Sequence, residues 1–246
     1  MKSKNKYLLS LAIYALYVLT MSVPVQAQLF KAFVSGGFTV AQIDGDEVYG
    51  FKHLGVNTGI GVIMPLNPNT PNEGFQLSTE ILFVQKGAKN TNIFDPFIYK
   101  ATLNYIEIPF MLHYFDKRAG AALGAGIQYG RLIKSSEIWE LSDTLIPRMD
   151  RPLVTDNHYF IKNDLCFVAD FRFNIYRNFK FDVRWQYSLL PIRKDFTFCN
   201  SYNELDEYYK TWNRDFKNNY VSFKLIYVIN EKYDTYKTKT RRKTAY

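Results

Sequence analysis

The segment FKFDVRWQYSL, residues 179–189, alternates apolar and polar side chains without interruption. Its odd positions are apolar or aromatic, and its even positions are polar or charged. Because successive side chains of a β-strand point to opposite faces, the segment predicts a strand with one apolar face and one charged face. Segments of about ten residues with this pattern, separated by turn residues, are typical of membrane-spanning β-barrels.

The first 27 residues have the features of a secretory signal peptide. Lys2, Lys4 and Lys6 form a basic region, residues 7–22 are an apolar core, and residues 25–27 (VQA) form a small-residue cleavage site. After residue 27 no run of about 18 apolar residues follows, so no transmembrane helix is predicted. A mature chain embedded in a membrane would therefore have to be a closed barrel.

The mature chain is predicted to hold one folded domain, because about 220 residues suit a single β domain. We expect residues 28–230 to form an outer-membrane β-barrel and residues 231–246 to form a basic, periplasmic C-terminal tail. Residues 1–27 hold three Lys and no acid, so their removal leaves 28 basic and 23 acidic residues and lowers the net charge from +8 to +5. Export argues against a nucleic-acid partner for the tail, which is expected to be solvated or to contact lipid or a periplasmic protein.

Eight segments are predicted to be strands, since helical periodicity is not sustained beyond the signal peptide. Their bounds are residues 31–43, 52–66, 75–86, 103–115, 119–132, 164–176, 179–190 and 220–229.

The connections between these strands alternate in length. The short ones are residues 67–74, 116–118 and 177–178, and the long ones are residues 44–51, 87–102, 133–163 and 191–219. Outer-membrane barrels have short periplasmic turns and long extracellular loops. An even number of strands then places both termini in the periplasm.

Strand parity predicts a charged face that lines a narrow, plugged lumen, since eight strands enclose little more than side chains. Glu80 and Glu107 are expected to pair with Arg172 or Arg184, because unpaired buried charge is costly. Strand four is ambiguous, since its two faces are both largely apolar. The full predicted lumen network is Glu80, Glu107, Asp170, Arg172, Asp182, Arg184 and Lys224.

A soluble barrel such as a lipocalin, with the apolar face turned inward, is the alternative that alternation alone leaves open. Loop asymmetry and strand length favour the membrane barrel. A narrow porin is a further alternative, but the mixed charge of the lumen argues against an open pore.

The predicted long loops carry aromatic side chains that are candidate partner contacts. Residues 202–212 also have some helical character, which would suit a short cap. The candidate contact residues are Trp139, Tyr159, Tyr202, Tyr208 and Trp212.

The sequence predicts no enzyme, no cofactor and no metal site, because its three histidines and two cysteines are scattered. Asp156 and His158 form the one conceivable dyad, which leaves a hydrolase at the outer rim as a remote alternative. Export permits a disulfide between Cys166 and Cys199, and the sequence leaves their pairing open.

Three segments carry a resemblance to a known family. They are residues 36–46 (GGFTVAQIDGD) with the following GFKHLG at 50–55, residues 77–87 (LSTEILFVQKG), and residues 103–110 (LNYIEIPF) before a glycine-rich strand. Together they resemble the PorT-like outer-membrane barrel family of Bacteroidetes, over nearly the whole mature chain.

The resemblance implies an eight-stranded barrel in the outer membrane. It also implies an accessory or assembly role in type IX protein secretion, which is the role of the family's namesake. The expected partners are outer-membrane lipid and other secretion-machinery proteins, reached through the outer loops or the basic tail. A generic small outer-membrane barrel that binds through its loops is the alternative, because fold resemblance does not transfer function.

Overall fold

The computed structural model describes residues 30–46, 48–67, 69–70, 72–90, 97–141, 160–201, 209–229 and 231. Within these ranges the chain forms antiparallel β-strands. They are β1 (Lys31–Asp44), β2 (His53–Pro65), β3 (Gly74–Lys89), β4 (Phe97–Asp116), β5 (Ala121–Leu141), β6 (Asn163–Tyr176), β7 (Phe179–Ser188), β8 (Arg193–Ser201) and β9 (Tyr209–Val228).

Eight of these strands close into a barrel. Each of β1 to β7 pairs with its neighbour in sequence, β7 pairs with β9, and β9 pairs back with β1 from Phe33↔Val228 to Asp44↔Lys217. The predicted all-β, eight-stranded antiparallel barrel is therefore confirmed. Closure leaves no edge strand in the barrel wall, as a bilayer requires.

The strand β8 is not one of these eight strands. It follows β7 along the same side of β9. The last pair between β7 and β9 is Tyr187↔Asn219, and β8 pairs with the preceding part of β9, from Arg193↔Phe216 to Ser201↔Tyr209. Pro191 lies in the interruption between β7 and β8, where its missing N–H would break the ladder. We call this side of the barrel, where residues 45–52, 90–96, 142–162 and 202–208 connect the strands, the long-loop end.

The apolar face of the strands points outward. Leu54, Ile60 and Leu123 are 68%, 61% and 68% exposed, whereas the inward Glu80 is 3% exposed. Apolar surface outside and charge inside is the arrangement of a membrane barrel and the reverse of a lipocalin. The soluble-barrel alternative is therefore wrong.

Several strands are much longer than a bilayer needs. The strands β4, β5 and β9 have 20, 21 and 20 residues, while about 9–11 residues cross the hydrocarbon core. The extra length lies at the long-loop end, where residues 160–162 and 192 complete the wall through backbone bonds such as Leu132 N–H to the Lys162 carbonyl oxygen (2.7 Å).

The polarity of the wall inverts along β4. From Ile106 to Tyr114 the even, outward positions are apolar, as in a membrane span. In the first part of the strand the outward Lys100 is exposed, while the inward Tyr99 and Leu103 are 1% and 0% exposed. In this part of the barrel the inward side chains are apolar and the outward side chains are mainly polar, as in a water-soluble protein. The inversion explains why the faces of strand four were ambiguous in sequence.

Three sequence predictions about the loops were wrong. The predicted connections 87–102, 133–163 and 191–219 contain the ends of β3, β4, β5 and β9 and all of β8. The predicted eighth strand, residues 220–229, begins eleven positions earlier, at Tyr209. Trp212 lies in β9 rather than in a helical cap, because its backbone pairs with Phe198 of β8. The predicted signal peptide and nearly all of the predicted basic tail lie outside the described residues, in residues 1–29 and 232–246. The same is true of residues 202–208.

We predict that Gly37→Ala weakens the seam that closes the barrel. A Cβ at Gly37 would lie 1.9 Å from the Phe223 carbonyl oxygen of β9, so one backbone must move, at a cost of roughly 1–3 kcal/mol. The measurement is the guanidinium unfolding midpoint of the barrel refolded in detergent.

The matched control is Gly36→Ala on the adjacent residue, where nothing lies within 4 Å of a new Cβ. We expect this variant to unfold at the wild-type midpoint. Equal midpoints for the two variants would contradict the prediction.

Candidate functional site

The lumen contains a neutral network of charged side chains, with three carboxylates and three cations. Arg184 is its centre and contacts Glu80 (2.5 Å), Asp170 (3.2 Å) and Asp182 (3.5 Å). The other ion pairs within it are Lys224 with Glu80 (3.1 Å) and Asp182 (3.4 Å), and Arg172 with Asp170 (3.0 Å) and Asp182 (3.3 Å).

Two Asp-x-Arg motifs on adjacent strands generate this network. Because β6 and β7 are antiparallel, Asp170 faces Arg184 and Arg172 faces Asp182. Asp182 in turn faces Lys224 of β9. Opposite charges directly across a ladder stabilise it, and like charges would destabilise it. The motif and its spacing were visible in the sequence, but the pairing register was not.

Glu107 belongs to a second, separate cluster. It pairs with Lys86 (2.8 Å), which also contacts Asp164 (2.9 Å), and it accepts hydrogen bonds from Gln128 and from Tyr220 (2.9 Å). The expectation that Glu107 pairs with Arg172 or Arg184 was therefore wrong. Lys86 and Asp164 were missed, although each shares the inward parity of its strand, with Glu80 on β3 and Cys166 on β6.

His113 connects the first network to Ser78. Its Nε2 lies 2.9 Å from Asp170 Oδ1, and its Nδ1 lies 3.4 Å from Ser78 Oγ. These are the residue types of a Ser-His-Asp triad. However, Asp170 is shared with two guanidinium groups, and Ser78 points into the lumen at 7% exposure. We interpret the arrangement as part of the lumen packing.

Apolar side chains lie at both ends of the charged region. Toward the short turns, Phe33, Ile63, Ile226 and Val228 form a buried cluster. Toward the long-loop end a larger buried cluster fills the extended part of the barrel; it comprises Ile43, Ala88, Tyr99, Ala101, Leu103, Tyr105, Phe160, Ile192, Phe196 and Phe216. The lumen charges are thus enclosed between two apolar plugs.

The short-turn end is also closed by a clamp on the residues that follow β9. Glu231 lies 3.0 Å from both Lys31 of β1 and Lys180 of β7. Burial raises the pKa of Glu231, but the two ammonium groups lower it by more, so the pKa lies below its ordinary value. The carboxylate therefore fixes the start of the predicted tail beside the lumen mouth.

The structure describes only two of the proposed partner-contact residues. Trp139 lies in β5 and Trp212 in β9, both in the parts of these strands that extend beyond the apolar belt. Tyr159, Tyr202 and Tyr208 lie outside the described residues, as do Asp156 and His158 of the conceivable dyad. His53 lies at the long-loop end, with its Nε2 3.1 Å from Thr102 Oγ1.

Cys166 is a free, buried thiol, 3.8 Å from Ser188 Oγ. It therefore does not form the disulfide with Cys199 that the sequence left open.

The part of the chain that the structure describes holds neither a candidate metal site nor a candidate membrane helix. No group of three or more His, Cys, Asp or Glu side chains there could hold a metal ion. No helix within the same ranges is long and apolar enough to cross a membrane.

Comparison with known proteins gives a family match. The family model described as "Outer membrane protein beta-barrel domain" matches residues 26–194 of the 246-residue chain. No curated protein sequence matches the chain.

Three solved barrels are similar to the chain at low sequence identity. Ail, the attachment invasion locus protein of Yersinia pestis, crystallised with the heparin analogue sucrose octasulfate, is 12% identical with a TM-score of 0.42, covering 81% of this chain and 99% of Ail. Neisserial surface protein A is 10% identical with a TM-score of 0.42, covering 80% and 97%. OprG from Pseudomonas aeruginosa is 11% identical with a TM-score of 0.36, covering 82% and 96%.

We predict that Arg184→Met strongly destabilises the barrel. It would leave Glu80, Asp170 and Asp182 with one contacting cation fewer each in a buried site, and breaking a buried ion pair from one side costs about 3–5 kcal/mol. The measurement is again the guanidinium unfolding midpoint.

The control variant is Arg118→Met, which removes the same charge from an exposed turn. It should change the free energy of unfolding by less than about 0.5 kcal/mol. Similar losses in both variants would refute the prediction.

Proposed function

Since the chain belongs to the outer membrane protein beta-barrel domain family, we propose that it is a non-enzymatic scaffold that binds a partner through its long-loop end. As a member of that family it is an integral outer-membrane protein, and its outward apolar face contacts lipid. This function is the generic loop-binding alternative considered from the sequence.

The sealed lumen is the observation that carries the proposal. Arg184, Lys224 and Lys86 are each completely buried and each paired with carboxylates. A water-filled channel would expose such groups, as the polar interior of a porin does. Apolar clusters lie on both sides of these charges, which supports a lumen without a continuous polar path for a solute. The lumen therefore supports the wall and leaves the ends of the barrel for function.

The long-loop end is the better candidate of the two ends. There β4, β5, β8 and β9 build a wall beyond the apolar belt, packed on its own buried cluster. A wall of paired strands loses little conformational entropy when a partner binds to it. The short turns and long loops support an orientation with this end outside the cell and both termini in the periplasm.

The absence of enzymatic activity is part of this proposal. The Ser78, His113 and Asp170 arrangement lies inside the sealed lumen, where Ser78 is 7% exposed and has no route to a substrate. A nucleophile must reach the substrate at about hydrogen-bond distance from its base.

We predict that the purified protein does not conduct in a planar lipid bilayer. Enclosed, paired charges between two apolar plugs give ions a high barrier. The result to look for is a flat current trace at both voltage polarities, with a known porin inserted as the positive control. Reproducible ohmic steps would overturn the sealed-lumen interpretation.

A photo-crosslinking residue placed at Ile138 or Asn213, the exposed neighbours of Trp139 and Trp212, should capture a partner in intact cells. Both positions lie in the strand extensions at the long-loop end. The matched control position is Glu73, which is exposed at the short-turn end. We expect discrete adducts from the first two positions with masses that differ from any adduct at Glu73. Adducts only at Glu73 would move the binding site to the opposite end.

An accessory role in type IX secretion is the finer form of this proposal. Its support is the resemblance carried by residues 36–46, 77–87 and 103–110, and it requires the partner to be a secretion-machinery protein. Deletion of the gene should then block export of type IX cargo while the outer membrane stays intact. Normal cargo export in the deletion strain would leave the loop-binding scaffold without a secretion role.

A further inference from the structure

The outward face of four adjacent strands changes from continuously apolar to mainly polar at one level. Toward the long-loop end, the continuous apolar face ends at Phe83 on β3, Ile106 on β4, Tyr129 on β5 and Leu165 on β6. Beyond this level β5 still carries two exposed isoleucines, Ile133 and Ile138. The next outward residues on the same strands are Gln85, Asn104, Arg131 and Asn163. Because apolar outward faces end where the hydrocarbon core ends, these residues mark the level of the lipid headgroups.

Basic side chains gather on this outward face just beyond the boundary. Lys89, Lys100, Arg131 and Lys134 are all exposed. Lys100 of β4 and Lys134 of β5 both line a surface cleft that these two strands form. The residues lining it are Lys100, Thr102, Asn104, Lys134, Ser136 and Ile138. The cleft thus combines two ammonium groups with hydroxyl and amide hydrogen-bond donors.

The positive charges of this cluster face one another across the β3–β4 ladder. Lys89 on β3 is directly opposite Lys100 on β4, and like charges at opposed positions destabilise a ladder. Among the side chains that the structure describes, which do not include that of Glu140, no carboxylate forms an ion pair with Lys89, Lys100 or Lys134. The lumen, by contrast, opposes Asp to Arg at each such position. An anion from outside the chain would relieve this repulsion.

We propose that the cleft between β4 and β5 binds the phosphate groups of a membrane lipid headgroup. The cluster faces outward at headgroup level, so a lipid in the adjoining leaflet reaches it without leaving the bilayer. Ammonium groups with hydroxyl and amide donors suit a phosphate monoester. Basic residues near a membrane surface contribute about 1 kcal/mol each toward anionic lipid. With the long loops outside the cell, as proposed above, the ligand is a phosphorylated lipid of the outer leaflet.

Native mass spectrometry of the full-length protein in detergent micelles tests this directly, with diphosphoryl lipid A as the probe. The test variant is Lys100→Gln with Lys134→Gln. The matched control is Lys194→Gln with Lys217→Gln, which removes the same charge from β8 and β9. We expect the test variant to bind the lipid roughly thirtyfold more weakly than wild type, and the control to bind it equally. Each single substitution, K100Q or K134Q, should weaken binding roughly fivefold.

Two further measurements distinguish the source of the phosphate. Dephosphorylated lipid A should bind wild type as weakly as the intact lipid binds the double variant. Inorganic pyrophosphate should displace the lipid only at a large molar excess. Unchanged binding in the double variant, or displacement by equimolar pyrophosphate, would overturn the proposal. Because the assay uses micelles and a lipid probe, its outcome is independent of whether the long-loop end captures a protein partner.

Discussion

The pairing of β1 with β9 is the constraint on which the rest of the structure depends. In hydrocarbon an unpaired backbone N–H or C=O costs several kcal/mol, so a sheet can remain there only if it has no edge. The ladder from Phe33↔Val228 to Asp44↔Lys217 removes both edges at once. Closure then forces alternate side chains into a narrow lumen. The side chains inside the barrel must therefore pack and pair with one another in that space.

Within the lumen, each charged side chain lies next to a side chain of opposite charge. The register between β6 and β7 places each Asp opposite an Arg, and β9 adds Lys224 beside Glu80 and Asp182. Such a network is a weak source of net stability, because desolvation offsets most of the attraction. It is specific, however, because a shift of the register by two residues would place Asp170 opposite Asp182 in one direction and Arg172 opposite Arg184 in the other. The network therefore favours one pairing of the strands over its neighbours.

The sequence pattern predicted the membrane part of the barrel well, because the residues there alternate regularly between apolar outward and polar inward positions. In β7 every outward residue is apolar, and the predicted strand, residues 179–190, differs from the observed Phe179–Ser188 only at its end. The extended part escaped prediction because its polarity is reversed. Around Leu103 and Asn104 the apolar positions pass from the outward to the inward face of β4. In the sequence, this change interrupts the alternating pattern. The site residues Lys86 and Asp164 were missed for a different reason: their importance comes from contact across the lumen, which strand parity does not contain.

The position of β9 has a consequence for how the protein can be made. This one strand pairs with β1, β7 and β8, and its Lys224 reaches Glu80, 144 residues earlier in the chain. Contacts of such long range form late and slowly. Until β9 arrives, β1 and β7 are both open edges, and Glu80 and Asp182 lack their contact with Lys224. A chain that stops before β9 would therefore yield no smaller barrel, only a sheet prone to aggregation, so assembly in the membrane waits for the last strand.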